Sequence, residues 1–553
     1  MGLAATFAPM RTSNLLLALA LLTNGCAYKN KEADLVVHNA RIITLDSANS
    51  VHQAMAIKDG RIVELGAEQE ILNRYRATET YDAAGALVYP GFIDGHCHFF
   101  GYGLNKQKVD LSGTTWWKEV VDRTVAYAKA HPEKEWIIGR GWDQNAWPMH
   151  VMPDNALLNE LFPDRPVLLQ RIDGHAAVVN QAALDRVGLS ANSVIAGGLL
   201  EVRNGKPTGL LVDNAVDVFQ KIFDEADEAT KRKALLDAQA DCFEKGLTMV
   251  CDAGLDVGTI LLIQRMQREG TLKMRVYAMV ADRPENLDHF AKSGPIIEDR
   301  LVVRSVKVYG DGALGSRGAL LLKPYSDVDS AYHGLQLQTM AHFKEVAQWC
   351  RTNGFQMATH CIGDSANRLV LKVYGDALGG TNDLRWRIEH AQCVDPADMG
   401  LFGTYSVIPS MQPTHATSDM FWAVDRIGPE RMRTSYALKS LLRTNGLISL
   451  GTDFPVEAID PLATFYAAVV RKNAEGQPAA GFQMADALTR DEALRGMTIW
   501  NALATFTEKD LGSLEVGKRA DLTVLDRDIL TVPEEQLRKA KVKATFIGGE
   551  QVH

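Results

Sequence analysis

The sequence predicts an α/β fold: a (β/α)8 barrel of the TIM type. A small β-sandwich domain formed from both chain ends and an inserted subdomain after the first barrel strand complete the expectation. Three observations carry it. The middle of the 553-residue chain alternates strand-like apolar runs with helix-length segments, eight times over. Both ends consist instead of short alternating strands. Polar side chains, which buried parallel strands should exclude, recur where the apolar runs end.

Taken in order, residues 1–25 read as an export signal. Arg11 is the only charge before Lys29, and Leu15–Leu22 is an apolar run too short for a bilayer but suited to a secretory h-region. Thr23-Asn24-Gly25-Cys26 then resembles a bacterial lipobox, with Thr23 where leucine is usual. That implies lipidation of Cys26 and an exported, periplasmic protein held at the membrane by its lipid. Met10 followed by Arg11 would make a tidier signal start than Met1.

From Ala33 the text turns to DLVVHNARIITL and AMAIKDGRIVELG, with Asp59-Gly60 as a two-residue hairpin signal. GSLEVGKRADLTVLD and KATFIGGEQVH repeat the texture at the far end. Residues 33–86 and 512–553 are therefore expected to form one composite β-sandwich domain. These segments cluster no catalytic residue types and read as scaffold.

The barrel is expected over 87–511. Its strands fall at 88–98, 248–254, 274–280, 301–312, 355–364, 384–392, 404–413 and 446–456. Thr489 and Glu492 form a capping-box pattern opening a helix after the eighth. Roughly 150 residues separate the first two strands, far more than a βα loop needs, so an insert is expected at about 105–240. Within it Trp142, Asp143, Trp147 and His175 combine aromatic walls with few polar groups, as pockets do. The alternative places the tryptophans in the insert's own core.

The chemistry-bearing residues stand at strand ends. His96 and His98, in VYPGFIDGHCHF, are two apart and share one side of an extended strand, with Cys97 pointing the other way. His360 closes FQMATH, His390 closes WRIEH and Asp453 closes ISLGTD. Lys307 sits in the apolar VVRSVKVY, where an unpaired ammonium is costly. It is depressed in pKa, paired with a carboxylate or chemically converted, unless it reaches solvent. Arg317 in GALGSRGA is a candidate anion contact or a solvated loop residue. His415 and Asp419 in QPTHATSD lie at the correct end for substrate.

Composition narrows the partners. Hydrophobic content of 46 % with 23 % charged residues is ordinary for a globular enzyme. A net charge of −9 without a basic run speaks against nucleic acid and for a small molecule. Beyond Cys26 the cysteines are Cys97, Cys242, Cys251, Cys350, Cys361 and Cys393, with no CxxC pair. Neither a disulfide scaffold nor a zinc ribbon is indicated, and a single Cys242–Cys251 bridge stays open. A homo-oligomer stays open too.

His96, His98, Lys307, His360, His390 and Asp453 thus occupy strands one, four, five, six and eight. That order resembles the amidohydrolase superfamily. PGFIDGHCH, VKVYGDGALGSRGA, THCIGDSAN, RIEHAQ, LGTDFPV and GKRADLTVLD are similar to the amidohydrolase family 3 type, which includes N-substituted formamide deformylases. The resemblance runs from Ala33 to the C-terminus.

It implies that His96 and His98 bind the more buried metal and that His360 and His390 hold a second. Lys307, carboxylated on its amine, would bridge the two ions, and Asp453 would touch the first metal and the bridging hydroxide. Two zinc ions per chain are implied, although some related enzymes keep one. Metal-activated hydroxide would attack a carbonyl or amidine-like carbon, with Asp453 passing the proton to the departing nitrogen. The expected function is an exported metal-dependent amidohydrolase cleaving a non-peptide C–N bond of an amide, formamide or cyclic amide. Deaminase or esterase/lactonase chemistry on the same site is the alternative. A non-catalytic ligand-binding surface lipoprotein is the rival from another class, and Lys307 in its apolar strand argues against it.

Overall fold

The computed structural model describes residues 1–2, 31–219 and 226–553. The remaining export signal and Cys26 lie outside the described residues. The centre is a sheet whose eight parallel strands follow one another in chain order. They are β1 (Phe92–Cys97), β2 (Leu247–Leu255), β3 (Arg275–Ala281), β4 (Leu301–Tyr309), β5 (Gln356–Cys361), β6 (Arg387–His390), β7 (Ile408–Met411) and β8 (Ser449–Leu450). The sheet curls into a nearly closed barrel. Helices such as Val257–Arg268 and Asp364–Leu378 follow individual strands and turn buried residues inward. The strands are buried on both faces, which explains their near-continuous apolar text. The capping box of Thr489 and Glu492 opens the helix Arg490–Gly496.

The expected first strand, 88–98, is two strands. Leu87–Pro90 pairs within a separate sheet, and only Phe92–Cys97 enters the barrel. The division falls at Gly91, where a Cβ would stand 2.3 Å from the Thr248 hydroxyl. Bare backbone is required where the chain crosses β2.

The barrel closes between β1 and β8 without a regular ladder. The Asp453 amide donates to the His96 carbonyl at 2.8 Å, and the His98 amide to that of Phe454 at 2.8 Å. Asp94 accepts from the Thr452 amide at 3.0 Å and the Thr452 hydroxyl at 2.7 Å. Asn501 Nδ2 donates to the carbonyls of Ile93 (2.7 Å) and Leu450 (2.8 Å), while its Oδ1 accepts from Ser449 at 2.6 Å. Gly95 and Gly451 permit this approach. A Cβ on either would meet the facing segment at 2.4 Å.

The chain ends build two further sheets. One orders Arg61–Gly66, Ala54–Lys58, Lys31–His38 and Tyr75–Asp82; the other interleaves Leu87–Pro90 with Leu522–Leu525 and Val542–Ile547. Val37, Met55, Val88, Val524 and Phe546 share one buried cluster, so both termini contribute to a common core. After β1 a six-stranded sheet of its own runs from Val109–Asp110 to Lys206–Asp213. The helix Glu228–Glu244 then packs on the barrel before β2. All six cysteines among the described residues are buried and free, Cys242 and Cys251 included. No described helix is long and apolar enough to cross a membrane.

Asn501 satisfies two carbonyls across the seam, and its loss leaves them buried without partners. Asn501→Ala is expected to lower unfolding free energy by about 2–4 kcal/mol, read by urea denaturation. A change below about 0.5 kcal/mol, the size of a neutral surface substitution, would show that the seam does not depend on it.

Candidate metal centre and substrate cavity

Strand alternation turns Arg387 and Glu389 of β6 to the barrel interior, and there they orient His96. Arg387, fully buried, donates to both Glu389 oxygens at 2.7 and 2.8 Å, and also to Gly95 O and Ser410. Glu389 Oε2 lies 2.5 Å from His96 Nδ1. Burial by itself would raise the Glu389 carboxyl, but Arg387, His96 and Lys307 hold it well below the ordinary carboxylate range. Burial, then Lys307, pushes His96 down to about 4 against the pull of Glu389. His96 is therefore neutral near pH 7. Its proton is assigned to Nδ1, facing the ionised Glu389, which leaves the Nε2 lone pair turned inward.

Lys307 is 1 % exposed, and its Nζ lies 3.3 Å from His96 Nε2. Among the described residues it has no carboxylate ion pair. Burial lowers its amine to about 8, with Glu389 and Asp453 opposing.

Asp453 is the meeting point. Its backbone is left-handed, with φ of 61°, at the turn that follows the seam bond to His96. Oδ1 stands 3.3 Å from His98 Nε2 and 3.7 Å from His96 Nε2, and Oδ2 stands 3.5 Å from His415 Nε2. Burial opposes ionisation, but His98, His96 and His390 together hold the carboxyl well below its usual value. His390 is oriented by Gln412 Oε1, 2.7 Å from its Nδ1, and its ring centre is 4.6 Å from that of His360. Burial foremost keeps both of these imidazoles neutral.

Among the candidate ligand residues, three buried atoms have no hydrogen-bond partner: His360 Nε2, His415 Nε2 and Asp453 Oδ1. Buried polar atoms are rarely left so. Two sets, His96–His98–Asp453 and His390–His415–Asp453, bring ligand atoms within 4.8 Å of one another. Neutral imidazoles beside an ionised carboxylate form a donor set suited to a divalent cation.

The site opens into a cavity of about 1230 Å³ walled by both barrel and insert. The glycine-rich segment after β4 receives the insert. A Cβ on Gly312 or Gly318 would fall 2.2 Å from the Asp213 carboxylate, and one on Gly315 would fall 2.9 Å from the Arg171 guanidinium. Asp213 in turn accepts from His175 Nδ1 at 2.7 Å, and the His175 ring centre lies 4.9 Å from that of His360.

The structure thus brings His96, His98, Lys307, His360, His390 and Asp453 together, with His175 and His415 on the same cavity. His415 stands closer than a pocket wall, among the candidate ligands. Two expectations are corrected. Trp142 is fully buried in the insert's core with Trp147, its indole donating to Leu169 O at 2.8 Å, because it faces inward from a sheet that must cover its own apolar side. Arg317 does not line the cavity; it pairs with Asp327 at 2.8 Å. Asp143 and Asp419 do line it. Arg387, Glu389 and Gln412 were not anticipated. The first two carried the same signal as Lys307, charge at alternate positions of a buried strand.

A family model described as "Amidohydrolase family" matches residues 79–553. YtcJ of Bacillus subtilis, which carries an amidohydrolase name, is 32 % identical over 529 residues, covering 93 % of this chain and 98 % of its own. The N-substituted formamide deformylase of Arthrobacter pascens is 27 % identical over 543 residues, covering 93 % and 97 %. An uncharacterised metal-dependent hydrolase of Pyrococcus horikoshii has a TM-score of 0.73 and 28 % identity, over 91 % of this chain and 99 % of its own.

The Lys307 amine has a testable sign. Without metal, the folded chain releases this proton at about 8, whereas the ordinary lysine value is 10.5. The unfolded state then binds more protons, so stability rises with pH between those values, and the cost of the buried ammonium is fully present below them. Lys307→Met is expected to flatten a rise on the order of 3 kcal/mol in urea unfolding with chelator present. An unaltered slope would mean that this amine is not desolvated.

Proposed function

The chain belongs to the amidohydrolase family, and from that premise we propose that it is a metal-dependent hydrolase of a non-peptide C–N bond in an amide, formamide or cyclic amide. The observation that carries the reading is the convergence of unpartnered buried ligand atoms on one point, around an ionised aspartate, at the floor of a large cavity. A protein with no cation to bind has no physical reason to bury them so.

His96, His98, His360, His390 and Asp453 would hold two zinc ions, with His415 within reach of the same set. A bound divalent cation supplies hydroxide near neutral pH and polarises a carbonyl. The chain's own residues supply the rest. Glu389 and Gln412 fix the tautomers of His96 and His390, so that each presents a lone pair. Lys307, at about 8, has a neutral fraction able to add to carbon dioxide; the nitrogen bonds to carbon and releases a proton. The resulting carbamate replaces a costly buried cation with oxygen ligands. Asp453, held ionised, accepts the proton of the attacking water and returns it to the leaving nitrogen. His175, braced by Asp213, would contact substrate from the insert side.

Export, with lipidation at Cys26, belongs to the same proposal. Labelled palmitate should enter the protein and be lost in Cys26→Ala.

Purified protein should carry zinc in stoichiometric amount, two ions per chain, and lose turnover on an N-acyl and N-formyl panel when chelated. Asp453→Asn should reduce that turnover at least about a hundredfold. Protein without stoichiometric metal after growth with zinc and bicarbonate, or a fully active Asp453→Asn, would falsify the mechanism. Glu389→Gln tests the support of the site separately, and should weaken zinc affinity about 10- to 100-fold in a competition titration.

A further inference from the structure

The insert sends two arginines toward the cavity from adjacent strands, Arg140 from Ile137–Trp142 and Arg171 from Val167–Arg171. Their circumstances differ. Arg171 is spent on the frame: it pairs with Asp143 and Asp173, and its Nε donates to Gln144 at 2.7 Å. Arg140 has no carboxylate partner among the described residues. Its Nε and Nη2 both donate to one backbone carbonyl, Ile172 O, at 3.2 and 2.9 Å. Nη1 makes no hydrogen bond among the described residues, and it is not one of the sealed, unpartnered atoms of the interior. An arginine anchored at one edge with its other edge open to a cavity is poised for a ligand.

Its location is specific. The guanidinium rests against Gly174, whose Cβ, if present, would lie 3.3 Å from Nη2. His175 follows immediately, and its ring stands 4.9 Å from that of His360. The open cation is therefore on the wall beside the candidate metal centre. The nearby carboxylates are committed elsewhere: Asp173 to Arg171 and the His175 amide, Asp143 to Arg171 and the Asn145 amide.

We propose that Arg140 is the anchor for a substrate carboxylate, so that the substrate class is an N-acyl or N-formyl compound bearing a free acid. The planar fork matches carboxylate geometry through two donors. A doubly charged phosphate fits worse, since Asp173 and Asp453 share the neighbourhood. The proposal rests on the C–N hydrolase reading for its chemistry, and on Arg140 alone for its charge.

Binding to the zinc-loaded protein separates the two. Levulinate keeps the acetyl carbonyl and carboxylate of N-acetylglycine but has no C–N bond to cleave; methyl levulinate is its uncharged counterpart. By calorimetry, wild type should bind levulinate at least about tenfold more tightly than the ester, the scale of a charge-assisted pair. Arg140→Gln should erase the preference and Arg140→Lys should restore part of it, with affinity for the ester unchanged throughout. With N-acetylglycine as substrate, Arg140→Gln should raise KM far more than it lowers kcat. A wild type indifferent to the charge, or an Arg140→Gln that keeps the preference, overturns the anchor. If neutral N-acyl compounds are hydrolysed equally well in that case, the hydrolase reading survives without it. If the preference is found but no N-acyl compound is cleaved, the anchor stands and the hydrolase reading falls.

Discussion

Everything at the floor of the cavity depends on the seam where the last barrel strand meets the first. His96 and His98 leave β1 and Asp453 follows β8, some 350 residues later in the chain. They become neighbours because two backbone hydrogen bonds, the Asp94–Thr452 pair and the three bonds of Asn501 join strand ends that form no ordinary ladder. Glycine at 95 and 451 sets how closely they approach. The seam also imposes the left-handed turn at Asp453 that presents its carboxylate to four imidazoles. Closure of the fold and assembly of the site are one event.

Beneath the site lies a buried charge arrangement that would be costly if any member were unpaired. Arg387 neutralises Glu389, Glu389 orients His96, and His96 touches Lys307. The chain of contacts runs from a fully compensated pair to an ammonium lacking a counter-ion of its own. That gradient leaves the Lys307 end costly to charge and the Arg387 end paired. Burial foremost keeps the imidazoles neutral at a pH where a solvent-exposed one would be partly protonated.

How much of this was legible follows a physical rule. Barrel strands declared themselves because burial on both faces demands continuous apolar text, and the same demand made Lys307 conspicuous. His96 and His98 were legible through the two-residue period of an extended strand. Arg387 and Glu389 broke the same rule within RWRIEH and could have been found by applying it there. The split at Gly91 was not readable, since nothing local reveals that Thr248 will press on that position. Trp142 and Arg317 misled because the text shows residue type but not which side of an inserted sheet faces a cavity or which loop brings Asp327 across. Arg140 was overlooked for the complementary reason: only the structure distinguishes an arginine tied into the frame from one left open. The matched family model and relatives add the family to this, and the charge of the substrate is a question the cavity poses by itself.

The three glycines after β4 have a consequence for how this architecture can be altered. Gly312, Gly315 and Gly318 are sockets: their missing side chains are the space that Asp213, Arg171 and Asn145 occupy. A cavity roof grafted from another barrel would arrive without plugs for these holes, and a barrel with bulkier residues there would reject this roof outright. The loop and the insert are therefore matched to each other, although nearly a hundred residues separate Asp213 from Gly312 in the chain, and a designer seeking new specificity should exchange them as a pair.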